Sequence, residues 1–568
     1  MDMMNYPFDS NEILRRKKSL KRKLLEKSDL IEKRIAIVSG ATVGDIKDIL
    51  EIFLLNFGIN PQFYVGQYNR FYEDIMFENQ ELADFKPELI YIHTSMRNLT
   101  DNTLSDKLQA VWAKVKEDFS CPVIQNNFEL PRYASNDDCR EINRLNIKIA
   151  DYATENSDFY INDIQHLSAC IGLDQWFNEQ EYFLYKYAFS VSAIPLFCYN
   201  IAKIIKSIYG KNQKCLVLDL DNTLWGGVVG DVGVMGIELG METALGEAYI
   251  AFQKYVKTLH DQGIILAVCS KNDEQIAKDA FSNPNLILRL EDIAVFYANW
   301  DNKADNIIKI AEQLNILPES MVFIDDHPAE RELVRKALPE VKVPEVNSVV
   351  DFIGQIEGAG YFYVTNLSND DVKRNAYYAS DAKRNEVKNT FVDYGEYLHS
   401  LQMSSEIRPF DAVHLDRITQ LINKTNQFNL TTKRYSQSEM QLIAADSSHI
   451  TLYATLEDKF GSNGIVSALI GEITGTTLHI RSWVMSCRVF KRELEYAICD
   501  VLVEVCREKG LEKIIGYHFK TEKNAYVSTL LSDLKFCRIS DEMWELNLMS
   551  PYVNKNQNIT IRMGKNDG

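Results

Sequence analysis

Residues 214–227 read KCLVLDLDNTLWGG, and this stretch decides the fold of the middle of the chain. The apolar run at 215–218 predicts a buried strand of a parallel sheet. Asp219 and Asp221 are then expected at its carboxyl end, where ligands bind in open α/β sheets. At this spacing one carboxylate can attack phosphorus, while the other protonates the leaving oxygen and later activates water. Thr223 adds a hydroxyl group for a phosphate oxygen.

Phosphoryl transfer to a carboxylate needs further groups, and the chain supplies them in order. A hydroxyl that binds phosphate should end the next strand, as Ser270 does in VCSKND. A fixed cation should follow, as Lys303 does in NWDNKADNI, and an acidic pair should end a later strand, as in VFIDD. Mg²⁺ is expected to neutralise charge between carboxylates and phosphate. Its predicted ligands are the aspartates of these motifs, Asp219, Asp221, Asp325 and Asp326.

Together these motifs resemble the haloacid dehalogenase (HAD) phosphatase superfamily, because DxDxT followed by Ser, Lys and Asp-Asp is far more specific than an isolated DxD. The longer stretches DNTLWGGVVGD, FIDDHPAERELVR, INKTNQFNLTTKRYS (422–436) and SCRVFKRELE (486–495) are similar to one HAD branch, the FkbH-like proteins of subfamily IIIC. One departure is His327, which stands where Asn or a similar residue is expected.

The resemblance to FkbH-like proteins covers most of the chain and implies thioester chemistry. Such proteins are associated with loading glyceryl units from a phosphorylated glycerate onto the phosphopantetheine thiol of an acyl carrier protein. The resemblance therefore implies that this protein dephosphorylates a hydroxy acid, such as 1,3-bisphosphoglycerate, and transfers the acyl group to a carrier.

The overall composition limits the classes of function. The chain has 568 residues, a formal net charge of −18 and 10 cysteines, none of them in a CxxC pair. The acid excess argues against nucleic-acid binding, and the scattered cysteines argue against a zinc site or a disulfide framework. No uncharged apolar run is long enough to span a membrane, and the N-terminus has no signal-peptide core. The sequence thus predicts a cytoplasmic protein without a membrane partner.

Apolar runs that alternate with helical patterns predict an α/β multidomain fold. The basic amphipathic pattern at 11–34 predicts a helix docked on the first domain, and the alternative is that its cations at 15–23 meet an acidic partner. In the middle domain, later strands are expected at 264–270, 286–290 and 321–326. The predicted parts are a basic helix (1–33), an SGNH-hydrolase-like domain (34–210), a HAD-type Rossmannoid domain (211–350), a helical connector (351–408), a GNAT-like domain (409–550) and a frayed tail (551–568).

The first domain resembles the SGNH-hydrolase fold, whose nucleophilic serine follows the first strand and whose D-x-x-H motif comes late. Here Ala41 stands at the serine position, with Ser39 and Thr42 out of register, whereas Asp163 and His166 keep the late spacing. Without a nucleophile this pair does not hydrolyse acyl groups. We therefore expect a non-catalytic scaffold or carrier dock, and a hydrogen bond between Ser39 and His166 would reopen that question.

The third domain resembles the GNAT N-acyltransferase fold, in which a pantetheine arm lies between two splayed strands and phosphate meets the turn into a long helix. Here that turn, SCRVFKRELE, lacks a glycine-rich loop but offers Arg488 and Arg492, which suit the single phosphate of a carrier protein. Cys487 is a candidate acyl acceptor, because helix-start amides and guanidinium groups favour a thiolate. The alternative is an inert core cysteine. The rival cysteines lie in apolar strands or in mid-helix: Cys215, Cys269, Cys499 and Cys506.

A second polar cluster lies in KTNQFN. The family resemblance implies that Asn426 and Gln427 contact the hydroxyls or the carbonyl of the substrate, whereas the alternative is a helix stop. Asn524 is expected to cap the last helix. The sequence therefore predicts an Mg²⁺-dependent enzyme for glyceryl loading. Two alternatives stay open, a stand-alone small-molecule phosphatase and a non-enzymatic adaptor for carrier proteins.

Overall fold

The computed structural model describes residues 2–27, 30–99, 103–364, 377, 380, 384, 387, 388, 391–521 and 523–562. The chain divides into two compact units. The first comprises 1–211 and 435–442, and the second comprises 212–434 and 443–568. The predicted α/β multidomain class is confirmed, because the described residues form three separate sheets accompanied by helices, and the strands of the two parallel sheets alternate with helices.

The first unit is built on a parallel sheet with the strand order β2-β1-β3-β4-β5. Its strands are β1 (Ile31–Ser39), β2 (Ile59–Val65), β3 (Leu89–His93), β4 (Val123–Asn126) and β5 (Phe159–Asn162). Its helices are α1 (Ser10–Leu24), α2 (Gly44–Asn56), α3 (Phe71–Met76), α4 (Gln80–Phe85), α5 (Leu104–Asp118), α6 (Asn136–Glu155), α7 (Ile164–Ile171), α8 (Leu173–Trp176), α9 (Glu179–Tyr185) and α10 (Ile194–Ile208). Every residue of β3 is buried, as expected for a central strand covered on both faces.

Two helices of the first unit concern earlier predictions, one about a docked basic helix and the other about the absence of a membrane partner. The basic helix α1 is docked on this unit through buried Ile13 and Leu24, and Lys17 lies 2.7 Å from Asp45 of α2. The segment Val191–Ile208, which contains α10, is long and apolar enough to cross a membrane. Most of that segment is buried inside the unit, which is common for a core helix.

The second unit begins with a parallel sheet of order β8-β7-β6-β9. Its strands are β6 (Cys215–Leu218), β7 (Ile265–Ser270), β8 (Ile293–Ala298) and β9 (Met321–Ile324). Its helices are α11 (Val229–Val232), α12 (Ala244–Asp261), α13 (Glu274–Ala280), α14 (Lys303–Leu314), α15 (Pro328–Ala337) and α16 (Val349–Ala359).

The predicted strand at 286–290 is absent, and the edge strand β8 begins only at Ile293. Leu286 and Leu288 are buried, so this stretch is apolar because it packs against the core. The amide of Ile287 donates to the side chain of Gln253 at 2.9 Å. Because the Gln253 side chain accepts the hydrogen bond of this amide, the amide does not need a partner on a neighbouring strand.

The second unit also carries a mixed sheet of order β15-β16-β14-β13-β12-β11-β10-β17. Its strands are β10 (Met403–Arg408), β11 (His449–Asp458), β12 (Gly461–Thr474), β13 (Thr477–Met485), β14 (Lys513–Tyr517), β15 (Cys537–Arg538), β16 (Met543–Asn547) and β17 (Ile559–Arg562). The accompanying helices are α17 (Tyr394–Ser400), α18 (Leu415–Lys424), α19 (Gln437–Ala445), α20 (Leu494–Glu508) and α21 (Leu530–Asp533).

Two predicted boundaries need correction. Helix α16 is not part of a connector, because Phe352 and Ile356 belong to the core around β6. Strand β10 begins before residue 409, and β17 lies in the predicted frayed tail, where it pairs in parallel with β10. Most of the predicted connector at 365–390 and the tail beyond 562 lie outside the described residues.

Strands β13 and β14 pair in parallel over three residues and then diverge. The space between them is filled by residues 428–430, which we call the wedge segment. On one side, Phe428 O and Leu430 N pair with the backbone of β13 at 3.2 and 3.3 Å. On the other side, Leu430 O accepts from Phe519 N at 2.9 Å. The inner edge of β13 is therefore occupied by the chain itself.

A buried asparagine fixes the wedge segment. Asn524 Nδ2 donates to Asn429 O and to Phe519 O, both at 2.9 Å. The predicted capping role of Asn524 is wrong, because its side chain makes no capping hydrogen bond to the short helix that follows. Asn524 instead joins the wedge segment to the chain after β14.

Candidate active site

Asp219 lies at the carboxyl end of β6 and is 6 % exposed. The chain then turns sharply, because Asn222 has a left-handed φ of 56°, which asparagine adopts more readily than most residues. Asn222 Oδ1 accepts from Gly227 N at 2.9 Å, and Trp225 is fully buried in the core. The DLDNTLWGG stretch is thus a fixed turn around the end of the strand.

Lys303 joins two of the predicted carboxylates. As the first residue of α14, it places Nζ 2.7 Å from Asp219 Oδ1 and 2.6 Å from Asp325 Oδ2, and all three residues are buried. Burial raises the pKa of Asp219 to about 7, while Lys303 opposes the shift and Ser270 adds a hydrogen bond. Burial opposes the charge on Lys303, but the two carboxylates outweigh it and raise the pKa of the lysine.

The acidic residues at the ends of β6 and β9 fit a magnesium ion. Asp219, Asp325 and Asp326 each present one carboxylate oxygen, and these oxygens lie within 4.8 Å of one another. Burial and the neighbouring charge of Asp325 raise the pKa of Asp326. The single positive charge of Lys303 does not balance the negative charge of three carboxylates. Carboxylate oxygens are also the ligands that Mg²⁺ prefers. These three residues would hold the ion.

The structure does not bring the carboxylate of Asp221 into this group. Its Oδ1 accepts from Trp225 Nε1 at 2.8 Å and from Val229 N at 3.1 Å, and its Oδ2 accepts from Asn272 Nδ2 at 2.9 Å. Burial raises the pKa of Asp221. These donors hold the carboxylate of Asp221 apart from the other three, and its predicted role as a metal ligand stays a prediction.

Further residues brace the turn that carries the acidic pair. Thr223 Oγ1 accepts from Asp326 N at 3.2 Å, and Arg331 Nη1 donates to the carbonyl oxygens of Asp325 and Asp326, each at 2.8 Å. The predicted phosphate contacts of Thr223, Ser270 and Lys303 stay predictions. The sequence reasoning missed Arg331 and Asn272, although both lie inside stretches that were recognised, FIDDHPAERELVR and VCSKND.

The structure brings four residues of the predicted acyl-transfer site together around a cavity of about 90 Å³. Cys487, Arg488, Asn426 and Gln427 all line it, and we call it the cysteine cavity. Cys487 is partly buried and packs against the core on one face of β6. The four rival cysteines are buried, and burial raises the pKa of each, as expected for inert thiols.

Two expectations about the turn at Cys487 are wrong. Arg492 does not line the cavity; it is buried, and its Nη1 lies 3.2 Å from Asp458 Oδ2. Cys487 begins a helical turn of only three residues, and the long helix α20 starts at Leu494, after Glu493 with a φ of 64°. Cys487 therefore does not lie at the start of α20, whose amides were expected to favour its thiolate.

The first unit does not assemble a hydrolytic triad among its described residues. The hydroxyl of Ser39 donates to Ala41 O at 2.6 Å and accepts from Ala41 N at 2.9 Å, so it is engaged in its own turn. Asp163 Oδ1 accepts from the backbone N of His166 at 3.0 Å, which is a helix cap. The imidazole of His166 contacts Cys170 instead, at 3.4 Å. The expected non-catalytic role stays a prediction that this geometry favours.

Comparisons with known proteins agree with these features. A search of curated proteins gave no match. The family described as "FkbH, N-terminal domain" matches residues 51–206. A crystal structure of the N-terminal part of BF1531 from Bacteroides fragilis, described as containing a phosphatase domain complexed with Mg, is 32% identical with a TM-score of 0.57. It covers 62% of this chain, and this chain covers 99% of it.

A second structure, the ribosomal-protein-S18-alanine N-acetyltransferase of Escherichia coli, covers 28% of this chain, and 97% of its own length is matched. It is 10% identical with a TM-score of 0.21, which supports no statement about activity. One conclusion follows from three observations: the identity and coverage of the Bacteroides protein, the match to the N-terminal family domain, and the acidic site at the ends of β6 and β9. This chain belongs to the FkbH family, with a HAD-type phosphatase domain in its second unit.

Proposed function

We propose that the protein removes the phosphoryl group of a phosphorylated hydroxy acid at Asp219. The observation that carries the proposal is the buried group in which Lys303 bridges Asp219 and Asp325 next to Asp326. A carboxylate held in this way is aimed at one place and is paired with a cation that also attracts phosphate. The similar Bacteroides structure, described as containing a phosphatase domain with Mg, supports the same reaction class.

The proposed reaction has two steps. Asp219 attacks phosphorus and forms an aspartyl phosphate, while the bond from phosphorus to the leaving oxygen breaks and Asp221 gives that oxygen its proton. Asp221 then takes a proton from a water molecule that attacks the aspartyl phosphate, which releases inorganic phosphate and restores Asp219. When bound, Mg²⁺ supplies positive charge between the carboxylates and the phosphate. Ser270 and Lys303 hold the phosphoryl oxygens.

We further propose that the substrate is a phosphorylated glycerate, such as 1,3-bisphosphoglycerate, and that the final acceptor is the thiol of an acyl carrier protein. At Cys487 the thiolate attacks the carbonyl carbon of the acyl phosphate, the bond to the phosphate oxygen breaks, and phosphate leaves. The carrier thiol then takes the acyl group by thioester exchange. Asn426, Gln427 and Arg488 support this proposal, because they line the same cavity as the thiol.

The test combines 1,3-bisphosphoglycerate with a carrier protein that bears its phosphopantetheine arm. Intact-protein mass spectrometry is expected to show a glyceryl adduct on Cys487 and then on the carrier, and both adducts should be lost in Cys487→Ser. Phosphate release without an adduct on either protein would leave a stand-alone phosphatase as the function.

A second measurement addresses the adaptor alternative. Asp219→Asn should abolish the release of phosphate from p-nitrophenyl phosphate, a substrate without an acyl group. The matched control is Asp261→Asn, which changes an exposed carboxylate at the end of α12 in the same domain. Equal rates for the wild type and Asp219→Asn would contradict an enzymatic role of this site.

A further inference from the structure

An ion pair spans the carboxyl end of the sheet in the phosphatase domain. Lys271 directly follows β7, and its Nζ lies 2.7 Å from Oε1 of Glu330, which lies in the first turn of α15 after β9. The strand order places β6 between β7 and β9. The pair therefore joins the segments on either side of the strand that ends at Asp219, and the proposed reaction assigns no role to either residue.

This pair lies on the same face of the sheet as the carboxylates. One core cluster forms on the face that α14 and α15 cover, and it contains one residue near the end of each of the three strands, namely Val217, Cys269 and Phe323. Side chains two positions further on return to the same face, and these belong to Asp219, Lys271 and Asp325. The contacts agree, because Lys303 of α14 meets both aspartates and Glu330 of α15 meets Lys271.

The spacing of the strands brings the pair close to Asp219. Adjacent strands are roughly 4.8 Å apart, so the pair spans roughly 10 Å from β7 to β9 and passes within about one strand spacing of the end of β6. A three-carbon acid that has its phosphoryl group at Asp219 extends over roughly 5 Å from phosphorus to the carboxyl carbon, given bond lengths of about 1.5 Å. A second anionic group at the far end of such a substrate comes within reach of Lys271.

Lys271 differs from two other cations of this site in being open to solvent. Lys303 is buried between two carboxylates, and buried Arg331 donates to main-chain carbonyl oxygens. The side chain of Lys271 is 38% exposed. Oε2 of Glu330 is buried and has no hydrogen-bond partner among the residues that the structure describes, so the charge of this glutamate depends on Lys271. An ammonium group has three donors, and Lys271 can therefore keep Glu330 while it binds a ligand oxygen.

We infer that Lys271 determines the substrate specificity of the site at Asp219, by binding a second anionic group of the substrate, and that Glu330 positions its ammonium group. The inference rests on the proposed removal of a phosphoryl group at Asp219 and deepens it. The site selects phosphate esters that carry a carboxylate or a second phosphate at the other end of a short carbon chain. A phosphate ester that ends in a hydroxyl group gains no ion pair there.

The experiment compares three substrates that share a three-carbon chain and one phosphate ester. Glycerol 3-phosphate has no second anion, 3-phosphoglycerate has a carboxylate, and glycerol 1,3-bisphosphate has a second phosphate. Full-length Lys271→Met is expected to lose at least tenfold of the wild-type preference for an anionic substrate over glycerol 3-phosphate, measured as a ratio of kcat/KM and mainly through KM. Lys271→Arg should restore most of the preference, and the substrate with the larger effect identifies the second anion.

Two further variants complete the set. Glu330→Gln should lower the preference less than Lys271→Met, because the cation remains but loses its anchor. Lys278→Met is the matched control, since Lys278 is a partly exposed lysine of α13 in an ion pair with Glu274. An unchanged preference in Lys271→Met, or an equal loss in Lys278→Met, would overturn the inference. If Lys271→Met does not fold, the same ratios are measured in Lys271→Met with Glu330→Met, which removes both charges of the pair.

Binding without turnover separates this inference from the proposed function. Calorimetry of 3-phosphoglycerate and of glycerol 1,3-bisphosphate, with Asp219→Asn as the parent protein, should show a Kd for the preferred ligand that rises at least tenfold when Lys271→Met is added. Equal Kd values with and without Lys271→Met for both ligands would overturn the role of Lys271. Absence of phosphate release from all three substrates by the wild type would instead contradict the proposed function.

Discussion

Asp219, Lys303, Asp325 and Asp326, which we call the phosphate site after its proposed ligand, set how stability depends on pH. The pKa of Asp219 is raised from 3.8 to about 7, so the folded protein keeps a proton that the unfolded chain loses between these values. The contribution of Asp219 to stability is therefore lost as pH rises through this window. The raised pKa of Lys303 keeps that side chain charged on both sides of the window.

We therefore expect metal-free protein to lose thermal stability relative to Asp219→Asn as pH rises from 5 to 7.5, since the amide does not ionise. Differential scanning calorimetry of both proteins in a chelating buffer measures the difference. Mg²⁺ should reduce it, because a cation favours the ionised carboxylate. Parallel profiles of the two proteins without metal would contradict the raised pKa.

We expect Asn272 to position the carboxylate of Asp221. Its amide donates to Asp221 Oδ2, while its own Oδ1 accepts from Asp273 N at 2.9 Å, which fixes the orientation of the amide. Asn272→Ala should lower kcat about tenfold or more with little change in KM, because general acid–base catalysis depends on a fixed geometry. Steady-state hydrolysis of an alkyl phosphate measures both constants. Asn285→Ala, at an exposed asparagine of the same domain, is the control. Equal effects of both changes would argue against positioning.

At the residue scale, the sequence predicted the members of the phosphate site better than their partners. Asp219, Lys303 and the acidic pair come together because each ends or begins a regular element whose period is visible in the sequence. The pairing of Arg492 with buried Asp458 was not visible, since the two residues are far apart in the chain. Long-range ion pairs leave no local pattern.

At the scale of elements, the central strands with strong apolar runs were found, but the edge strand β8 was expected at 286–290 instead of Ile293–Ala298, and the short edge strand β17 was missed. The run at 215–218 is β6, but the strand Ile559–Arg562 alternates apolar and polar residues over only four positions in a polar tail. It forms because β10 offers an open edge to pair with. Pairing of this kind depends on the tertiary fold, so a local pattern does not reveal it.

Strand β17 should contribute to the stability of the second unit. A chain ending at residue 558 loses the ladder to β10 and the burial of Ile559, which is 5 % exposed. We expect a loss of about 1.5–3 kcal/mol, the value for burying one such side chain. Urea unfolding monitored in the second unit measures it, and a chain ending at residue 562 is the control. Equal midpoints for the two truncated chains would show that β17 is dispensable.

At the scale of the whole molecule, charge is unevenly distributed. The net charge is −18, yet α1 carries Lys18, Arg22 and Lys23 at exposed positions. An acidic carrier protein would be repelled by most of the surface and attracted by this helix. The prediction that this helix meets an acidic partner is thus compatible with its docked position.

Charge reversal on α1 tests that prediction. Arg22→Glu should lower kcat/KM for transfer to the carrier and leave hydrolysis of p-nitrophenyl phosphate unchanged, with the difference shrinking at high salt. Lys254→Glu, at an exposed lysine of α12, makes the same change of charge elsewhere. If both variants behave alike, α1 is not the docking surface.

The wedge segment has a consequence for how the second unit responds to its surroundings. A domain that fills the space between its strands with a dissolved cofactor is stabilised only as far as the concentration of that cofactor exceeds its Kd. Here the occupant is tethered to the chain, so its effective concentration is set by the length of the connection and does not vary. The stability of the fold around β13 should therefore not change with the concentration of a dissolved cofactor in the cell.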